Sequence, residues 1–167
     1  MKILVLGLGN PLVTDDSVGL RVAAVLKSRL AGRGDVEVEE DYWGGLRLME
    51  RMVGYDRAIV IDAICSGAAP GTIHRLSPDS IPTQRSASTH DMNLPTALAL
   101  GRAAGLPLPR DEDILLVGIE AEDILSFGEH CTPAVQAAIA PAVEEVLQAV
   151  HRFTQTRPQT PSGGPAS

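Results

Sequence analysis

The chain is poor in aromatic residues and in basic residues. Phe, Trp and Tyr make up only 3% of its 167 residues, so the core must be aliphatic and few rings are available for base stacking. Lys and Arg number 14 against 21 Asp and Glu, which gives a net charge of −7. Because phosphate binding needs clustered Lys and Arg, this balance argues against nucleic acid or an anionic membrane surface as the partner.

The chain also has few cysteines and no long apolar run. Cys65 and Cys131 form neither a CxxC motif nor a zinc-binding spacing, and we interpret them as reduced thiols of a cytoplasmic protein. No apolar run approaches the roughly 20 residues of a membrane helix. The N-terminal segment lacks a small-residue cleavage site, so we do not expect a signal peptide.

Length and periodicity predict the organisation of the chain. We expect one α/β domain over residues 1–153 and a disordered tail over residues 154–167, which is rich in Pro, Gly, Ser and Thr. Short apolar runs alternate with helical patterns, which predicts a largely parallel sheet with helices on both faces. The segment 36–39 alternates polar and apolar residues and predicts a strand near a sheet edge.

Helical spacing of apolar residues predicts the buried faces of the helices. The first helix should run over about 17–30, and the inward residues should be Val18, Val22, Val25, Leu26 and Leu30. A short helix over 45–53 should turn Leu46, Met49 and Val53 inward. The last helix should begin with Thr132 as N-cap and Pro133 in its first turn, and Pro141 should kink it.

A glycine pair, Gly7 and Gly9, follows the first predicted strand. A dinucleotide-binding fingerprint would need a third glycine at position 12, where this chain has Leu12 after Pro11. The helix also starts too late to direct its N-terminus at a phosphate bound by these glycines. We therefore disfavour a nucleotide site and expect the glycines to permit a tight loop.

Acidic residues follow two predicted central strands. Asp15 and Asp16 come just before the first helix, and Asp62 directly follows the apolar run 58–61. One interpretation is helix capping by Thr14 or Asp15. Because ligands of open α/β sheets bind outside the carboxyl ends of the strands, a second interpretation is a site at this edge. Both hold if one acid caps and the other points into the cleft.

Histidines offer a nitrogen ligand for such a site. His90 lies in a polar loop, and Asp16, Asp62 and His90 together would supply two carboxylates and one imidazole with open positions left for a substrate. This set would accept zinc, nickel or similar divalent ions. His74 should be exposed on its strand, and His130 with Cys131 is a weaker pair for a soft metal.

At these residues the chain resembles the hydrogenase maturation proteases, the endopeptidases that trim the large subunit of nickel–iron (NiFe) hydrogenases. The matching segments cover residues 1 to about 150 in family order. They are Lys2–Asn10, Asp15–Gly19, Asp62–Ala63, Pro70–Thr72, His90, Leu116–Glu120 and Thr132–Pro133. Two departures are Trp43, where relatives have small residues, and Ser17, where relatives have glycine.

The resemblance implies a three-layer α/β sandwich with a five-stranded, mostly parallel, twisted sheet between helices. It implies that Asp16, Asp62 and His90 bind the metal and carry the catalysis, with no other cofactor. The metal is nickel, brought in by the precursor of the hydrogenase large subunit, from which the protease removes a C-terminal peptide. We expect a monomer, since the reaction needs one copy. The alternative is a nickel-sensing chaperone of the large subunit that docks without cutting.

Overall fold

The chain alternates strands and helices. The computed structural model describes residues 1–42, 44–80 and 93–156, to which the following description refers. The strands are β1 (Ile3–Leu8), β2 (Val36–Asp41), β3 (Arg57–Ile64), β4 (Ile73–Leu76) and β5 (Ile114–Glu120). The helices are α1 (Val18–Arg29), α2 (Gly45–Met52), α3 (Leu94–Ala103) and α4 (Pro133–Gln155). Three 3₁₀ turns cover Asp15–Ser17, Pro78–Ser80 and Asp111–Asp113.

The strands form one sheet in the order β2-β1-β3-β5-β4. All neighbours are parallel except β4, which runs antiparallel to β5 at one edge. The predicted five-stranded, mostly parallel sheet is confirmed. The alternating segment 36–39 lies in β2, at the other edge of the sheet, where its pattern had placed it.

Apolar layers on both faces of the sheet make a three-layer sandwich. On one face, Ile3 and Val5 of β1 belong to a cluster with Val22 of α1 and Val146 of α4. On the other face, alternate residues of β1 pack in a second cluster with α2 and α3; this cluster includes Leu4, Leu6, Met52 and Leu98. Burial of β1 on both faces explains its unbroken apolar sequence.

Two helical residues that the spacing placed inward are exposed. The buried stripe of α1 is centred on Gly19, Val22 and Leu26, so Val25 falls beyond its edge and is 40% exposed. In α2 a competing stripe that contains Leu48 and Met52 faces the core, which turns Leu46 outward. Both predictions were wrong because two apolar stripes overlapped and only packing chose between them.

The C-terminal helix begins as predicted, with Thr132 at the N-cap and Pro133 in the first turn. It includes Pro141 and continues to Gln155, beyond the predicted domain end at 153, and Arg57 donates a hydrogen bond to Thr156. Residues 157–167, the rest of the predicted tail, lie outside the described residues. Within the part of the chain that the structure describes, no helix has the length and apolarity needed to cross a membrane.

Candidate active site

The carboxyl ends of β1 and β3 bring two of the predicted site residues to one edge of the sheet. Asp16 lies in the 3₁₀ turn that separates β1 from α1. Asp62 lies in β3, two residues before the strand ends, opposite Gly118 of β5. Both side chains are half-buried. This carboxyl edge is where parallel α/β sheets bind their ligands.

Three glycines allow α1 to approach this edge closely. A Cβ atom on Gly7 would lie 2.4 Å from the carbonyl oxygen of Gly19, and one on Gly19 would lie 2.5 Å from that of Ile61. Gly9 has a φ of 153°, and a Cβ atom there would lie 2.0 Å from the carbonyl oxygen of Asp16. The prediction of a tight loop is therefore right for Gly9. It is wrong for Gly7, which lies inside β1 and allows the strand to pack closely against the helix.

The two carboxylates disfavour each other's charge. Burial raises the pKa of Asp16, and a hydrogen bond from the backbone N–H of Asn10, at 3.2 Å, only partly opposes this shift. Burial raises the pKa of Asp62 well above its ordinary value, and the negative charge of Asp16 raises it further. One hydrogen bond from the N–H of Ala63, at 2.8 Å, acts in the opposite direction and lowers this pKa. A pair of this kind favours protonation of one carboxyl group or a bound cation over two bare charges.

Asp15, the neighbour of Asp16, has a different role. Its side chain is fully buried and accepts hydrogen bonds from the backbone N–H groups of Glu122, Asp123 and Thr132, at 2.9, 2.8 and 2.8 Å. The Thr132 hydroxyl also donates to it, at 2.8 Å. Of the two predicted caps, Thr14 occupies the N-cap position of the 3₁₀ turn without a side-chain cap hydrogen bond, whereas Asp15 lies inside that turn and Ser17 is the N-cap of α1. Asp15 instead fixes both ends of the loop between β5 and α4.

Glu120 is a buried acid of the same edge, which was included in a matching segment of the sequence without being assigned a role. Its carboxylate accepts hydrogen bonds from the N–H and hydroxyl of Ser66, both at 2.7 Å, and from the N–H of Gly67 at 2.9 Å. Burial alone would raise its pKa, but these hydrogen bonds and one to His74 hold the pKa of Glu120 below its ordinary value. Glu120 thereby ties the loop after β3 to β5.

His74 was predicted to be exposed, and this prediction is wrong. It is half-buried on β4, and its Nε2 lies 3.2 Å from a Glu120 oxygen. The alternation of β4 could not reveal this contact, because the partner comes from β5, 46 residues later.

Neither cysteine is an activated thiolate, and neither belongs to a metal-binding group in the described ranges. Burial, followed by the charges of Glu120, Asp16 and other acids, raises the pKa of the Cys65 thiol. Burial also raises the pKa of Cys131, whose thiol donates to the Thr14 carbonyl at 3.6 Å. Both cysteines are free thiols. Because Cys131 points into the protein while its neighbour His130 is exposed, the proposed soft-metal pair does not form.

His90, the third predicted ligand, lies outside the described residues, as does Trp43. Among residues 1–42, 44–80 and 93–156, no group of three His, Cys, Asp or Glu side chains is arranged to hold a metal ion. The structure therefore brings together Asp16 and Asp62, and the assignment of His90 stays a prediction.

Comparison with known proteins shows the family of the chain. The model of the hydrogenase maturation protease family matches residues 20–149. The chain belongs to this family. It is 36% identical to the hydrogenase 2 maturation protease of Escherichia coli (strain K12) over 155 residues, which cover 90% of this chain and 91% of that protein. It is 29% identical to the hydrogenase expression/formation protein HupD of Thiocapsa roseopersicina, covering 91% of this chain and 69% of that protein.

Solved structures of hydrogenase maturation proteases share the fold. The hydrogenase maturating endopeptidase HybD from E. coli matches with a TM-score of 0.78 and 35% identity, over 91% of this chain and 93% of that chain. The hydrogenase maturation protease HybD from Thermococcus kodakarensis matches with a TM-score of 0.64 and 27% identity, over 89% and 99%. The predicted family and its protease class are confirmed.

Proposed function

We propose that this chain is the endopeptidase that removes the C-terminal peptide from the precursor of a NiFe hydrogenase large subunit after nickel has been inserted. The observation that carries this proposal is the half-buried pair of Asp16 and Asp62 at the carboxyl edge of a maturation-protease fold. Nickel arrives with the precursor and is therefore part of the substrate. The reaction takes place in the cytoplasm, which suits the two free thiols.

The acid pair supports selection of the nickel-loaded precursor. Without a cation, the desolvated carboxylates of Asp16 and Asp62 oppose each other, and a closing protein surface would desolvate them further. A divalent ion carried by the precursor would neutralise both and displace any proton that either carries. Docking of an empty precursor lacks this compensation, so it is disfavoured.

The donor set fits nickel. Carboxylate oxygens of Asp16 and Asp62 and an imidazole nitrogen of His90 would add hard and intermediate ligands to an ion that the precursor already holds. His90 precedes Leu94, the first residue of α3, by four positions in the sequence. Zinc and similar divalent ions could occupy the same donors, so the selectivity rests on which ion the precursor carries.

Peptide hydrolysis adds water across the scissile C–N bond, with hydroxyl going to the carbonyl carbon and a proton to the leaving amine. The metal would supply carbonyl polarisation or a more acidic water. Asp16 is the candidate general base, because its pKa is raised less than that of Asp62, so Asp16 is the carboxylate of the pair that more readily takes the charged form that accepts a proton. If Asp16 acts as the base alone, Asp16→Asn should lose cleavage and keep nickel-dependent binding; if it is a ligand, both are lost.

A cleavage assay followed by intact mass tests the proposal. The protein is mixed with nickel-loaded and nickel-free large-subunit precursor, and the C-terminus of the precursor is followed over time. Loss of a C-terminal peptide from the loaded precursor alone would support a nickel-gated endopeptidase. Nickel-dependent binding without a change of mass would favour the non-cleaving chaperone instead.

Three substitutions assign the residues. We expect Asp16→Asn, Asp62→Asn and His90→Ala each to lower the cleavage rate by about 10²- to 10⁴-fold, the usual range for loss of an acid–base group. The matched controls make the same chemical changes away from the site: Asp35→Asn before β2 and His151→Ala near the end of α4. Full activity in all three site variants would refute the assignment.

A further inference from the structure

The three most exposed large apolar side chains in the described ranges belong to two loops that are hydrogen-bonded to each other, and one of these loops binds the Asp16 carboxylate. Leu125, Phe127 and Leu12 are 86%, 82% and 65% exposed, more than any other large apolar residue there. Phe127 is also one of only five aromatic residues in the chain. We call these three residues the apolar rim. A monomeric protein rarely concentrates such side chains on one surface without a binding role.

The backbone joins the apolar rim to the site. Val13 and Phe127 form an antiparallel bridge. Two backbone hydrogen bonds flank this bridge. The N–H of Gly128 donates to the carbonyl of Leu12, and the N–H of Thr14 donates to the carbonyl of Ser126. The N–H of Leu12 donates to the side chain of Asn10, at 3.0 Å.

The Asn10 N–H is the group that binds the Asp16 carboxylate. A single hydrogen-bonded loop system therefore carries both the rim and Asp16.

Buried and turn-forming acids hold the rim in place. Asp15 fixes the loop between β5 and α4 at Glu122, Asp123 and Thr132. The Asp123 carboxylate accepts hydrogen bonds from the N–H groups of Leu125 and Ser126, at 3.0 and 2.9 Å. Because this backbone is already ordered, a partner would not have to order it on binding, which preserves affinity.

The charges around the rim indicate the chemistry of its partner. The exposed Glu122 and Glu129 flank Leu125 and Phe127 in the sequence, and the chain carries a net charge of −7. An apolar patch bordered by Lys and Arg would match this surface in both respects. Aromatic residues such as Phe127 are enriched in the buried centre of protein interfaces.

We infer that the apolar rim is the docking surface for the folded body of the precursor, on an apolar patch that is bordered by basic residues and adjoins the peptide to be cut. This inference rests on the proposed function. A protease that acts on a folded protein can hold its substrate outside the site, and such contacts set KM while the chemistry at Asp16 and Asp62 sets kcat.

The test is a double variant, Leu125→Ser with Phe127→Ser, assayed on nickel-loaded precursor over a range of concentrations. Both side chains are exposed, so the fold should be retained. We expect KM to rise at least about tenfold with kcat within twofold of the wild type, as for loss of central interface residues. The apolar variant Leu125→Met with Phe127→Leu should keep KM near the wild type. Leu106→Ser, an exposed leucine near the opposite end of the sheet, is the matched control.

The outcomes separate this inference from the proposed function. If the wild type cleaves the precursor and the double serine variant does so with unchanged KM, the docking surface is refuted and the protease stands. If the wild type does not cleave the precursor, the proposed function is wrong. In that case, unchanged binding of the precursor by the double serine variant would refute the docking surface as well. If sedimentation shows a wild-type dimer that the double variant dissociates without a change in KM, the rim is a self-association surface and the inference is wrong.

Discussion

Two acid sites at opposite ends of the sheet hold their charges in opposite ways. At the amino edge, Asp113 lies 3.4 Å from Arg57 and 3.3 Å from Arg110. At the carboxyl edge, Asp16 and Asp62 have no Lys or Arg partner among the described residues, and each has a raised pKa. The charge of Asp113 helps to hold the fold, whereas the pair of Asp16 and Asp62 keeps an excess of negative charge that an incoming cation can neutralise.

The amino edge also fastens the end of α4. The Arg57 guanidinium lies 4.8 Å from the centre of the Phe153 ring and donates to Thr156. Arg57 is 5% exposed, so its charge has little water to replace a lost partner. The ion pair of Arg57 and Asp113 therefore stabilises the fold, whereas the charges of Asp16 and Asp62 do not.

The same substitution at the two edges should have the largest and most divergent effects on stability. We expect Asp113→Asn to lower the free energy of unfolding by about 3–5 kcal/mol, because it leaves Arg57 buried without its counter-charge. Asp62→Asn should not lower it, because a folded-state pKa above the unfolded value means that the charged form destabilises the fold near pH 7. Urea unfolding at pH 7 measures both. An equal loss of the free energy of unfolding in the two variants would show that the two acid sites do not differ in this way.

A smaller effect should separate the adjacent acids of the carboxyl edge. Asp15→Asn weakens hydrogen bonds that a charged group accepts from Glu122, Asp123 and Thr132, so we expect a loss of about 2 kcal/mol in the free energy of unfolding. Asp16→Asn should lose cleavage with little change in stability.

Thermal and urea unfolding, read beside the cleavage rate, test this division between Asp15 and Asp16. A stable, inactive Asp15→Asn variant would contradict it, since that result would place Asp15 in the chemistry rather than in the loop.

The smallest effect is a pH dependence at Glu120. Its folded-state pKa lies below the ordinary value of 4.5, so its stabilising contribution is complete above that pH and is lost as the pH falls through the folded-state value. We expect the free energy of unfolding of the wild type to exceed that of Glu120→Gln by about 1.5 kcal/mol at pH 7, with the difference shrinking below about pH 4.5.

Because His74 and Cys65 face Glu120, the pair is also compared in a His74→Ala background. A stability difference that stays constant from pH 7 to pH 3 would show that the Glu120 charge is not what holds the loop.

The parts of the fold that depend on local pattern could be predicted from the sequence. Short apolar runs placed β1, β3 and β5 in the interior, period-two alternation placed β2 at an edge, and Thr132-Pro133 marked the start of α4. Asp16 after β1 and Asp62 could be placed at one edge, because parallel strands end together, although Asp62 lies inside β3 and not directly after it as predicted. The inward faces of α1 and α2 could not be settled, since Val25 and Leu46 each fit a plausible apolar stripe.

The roles of individual acids could not be predicted from the spacing of residues in the sequence. Asp15 and Asp16 are neighbours of the same type, and what separates them is that Asp15 meets backbone groups 107 to 117 residues away. Glu120 gains its importance from Ser66, 54 residues earlier. Such contacts depend on how the crossovers bring loops together, which no local spacing records.

The sequence by itself determined the family, the alternation of strands and helices, and the presence of acids at the ends of two central strands, because periodicity and strand ends are properties of neighbouring residues. Only the tertiary structure decided that Asp15 is a buried anchor and that the charge of Asp16 acts on Asp62. It also decided that the exposed Leu12, Leu125 and Phe127 belong to loops joined by hydrogen bonds to each other and to Asp16. The physical reason is that burial, charge coupling and exposure arise between segments that are distant along the chain and adjacent in space.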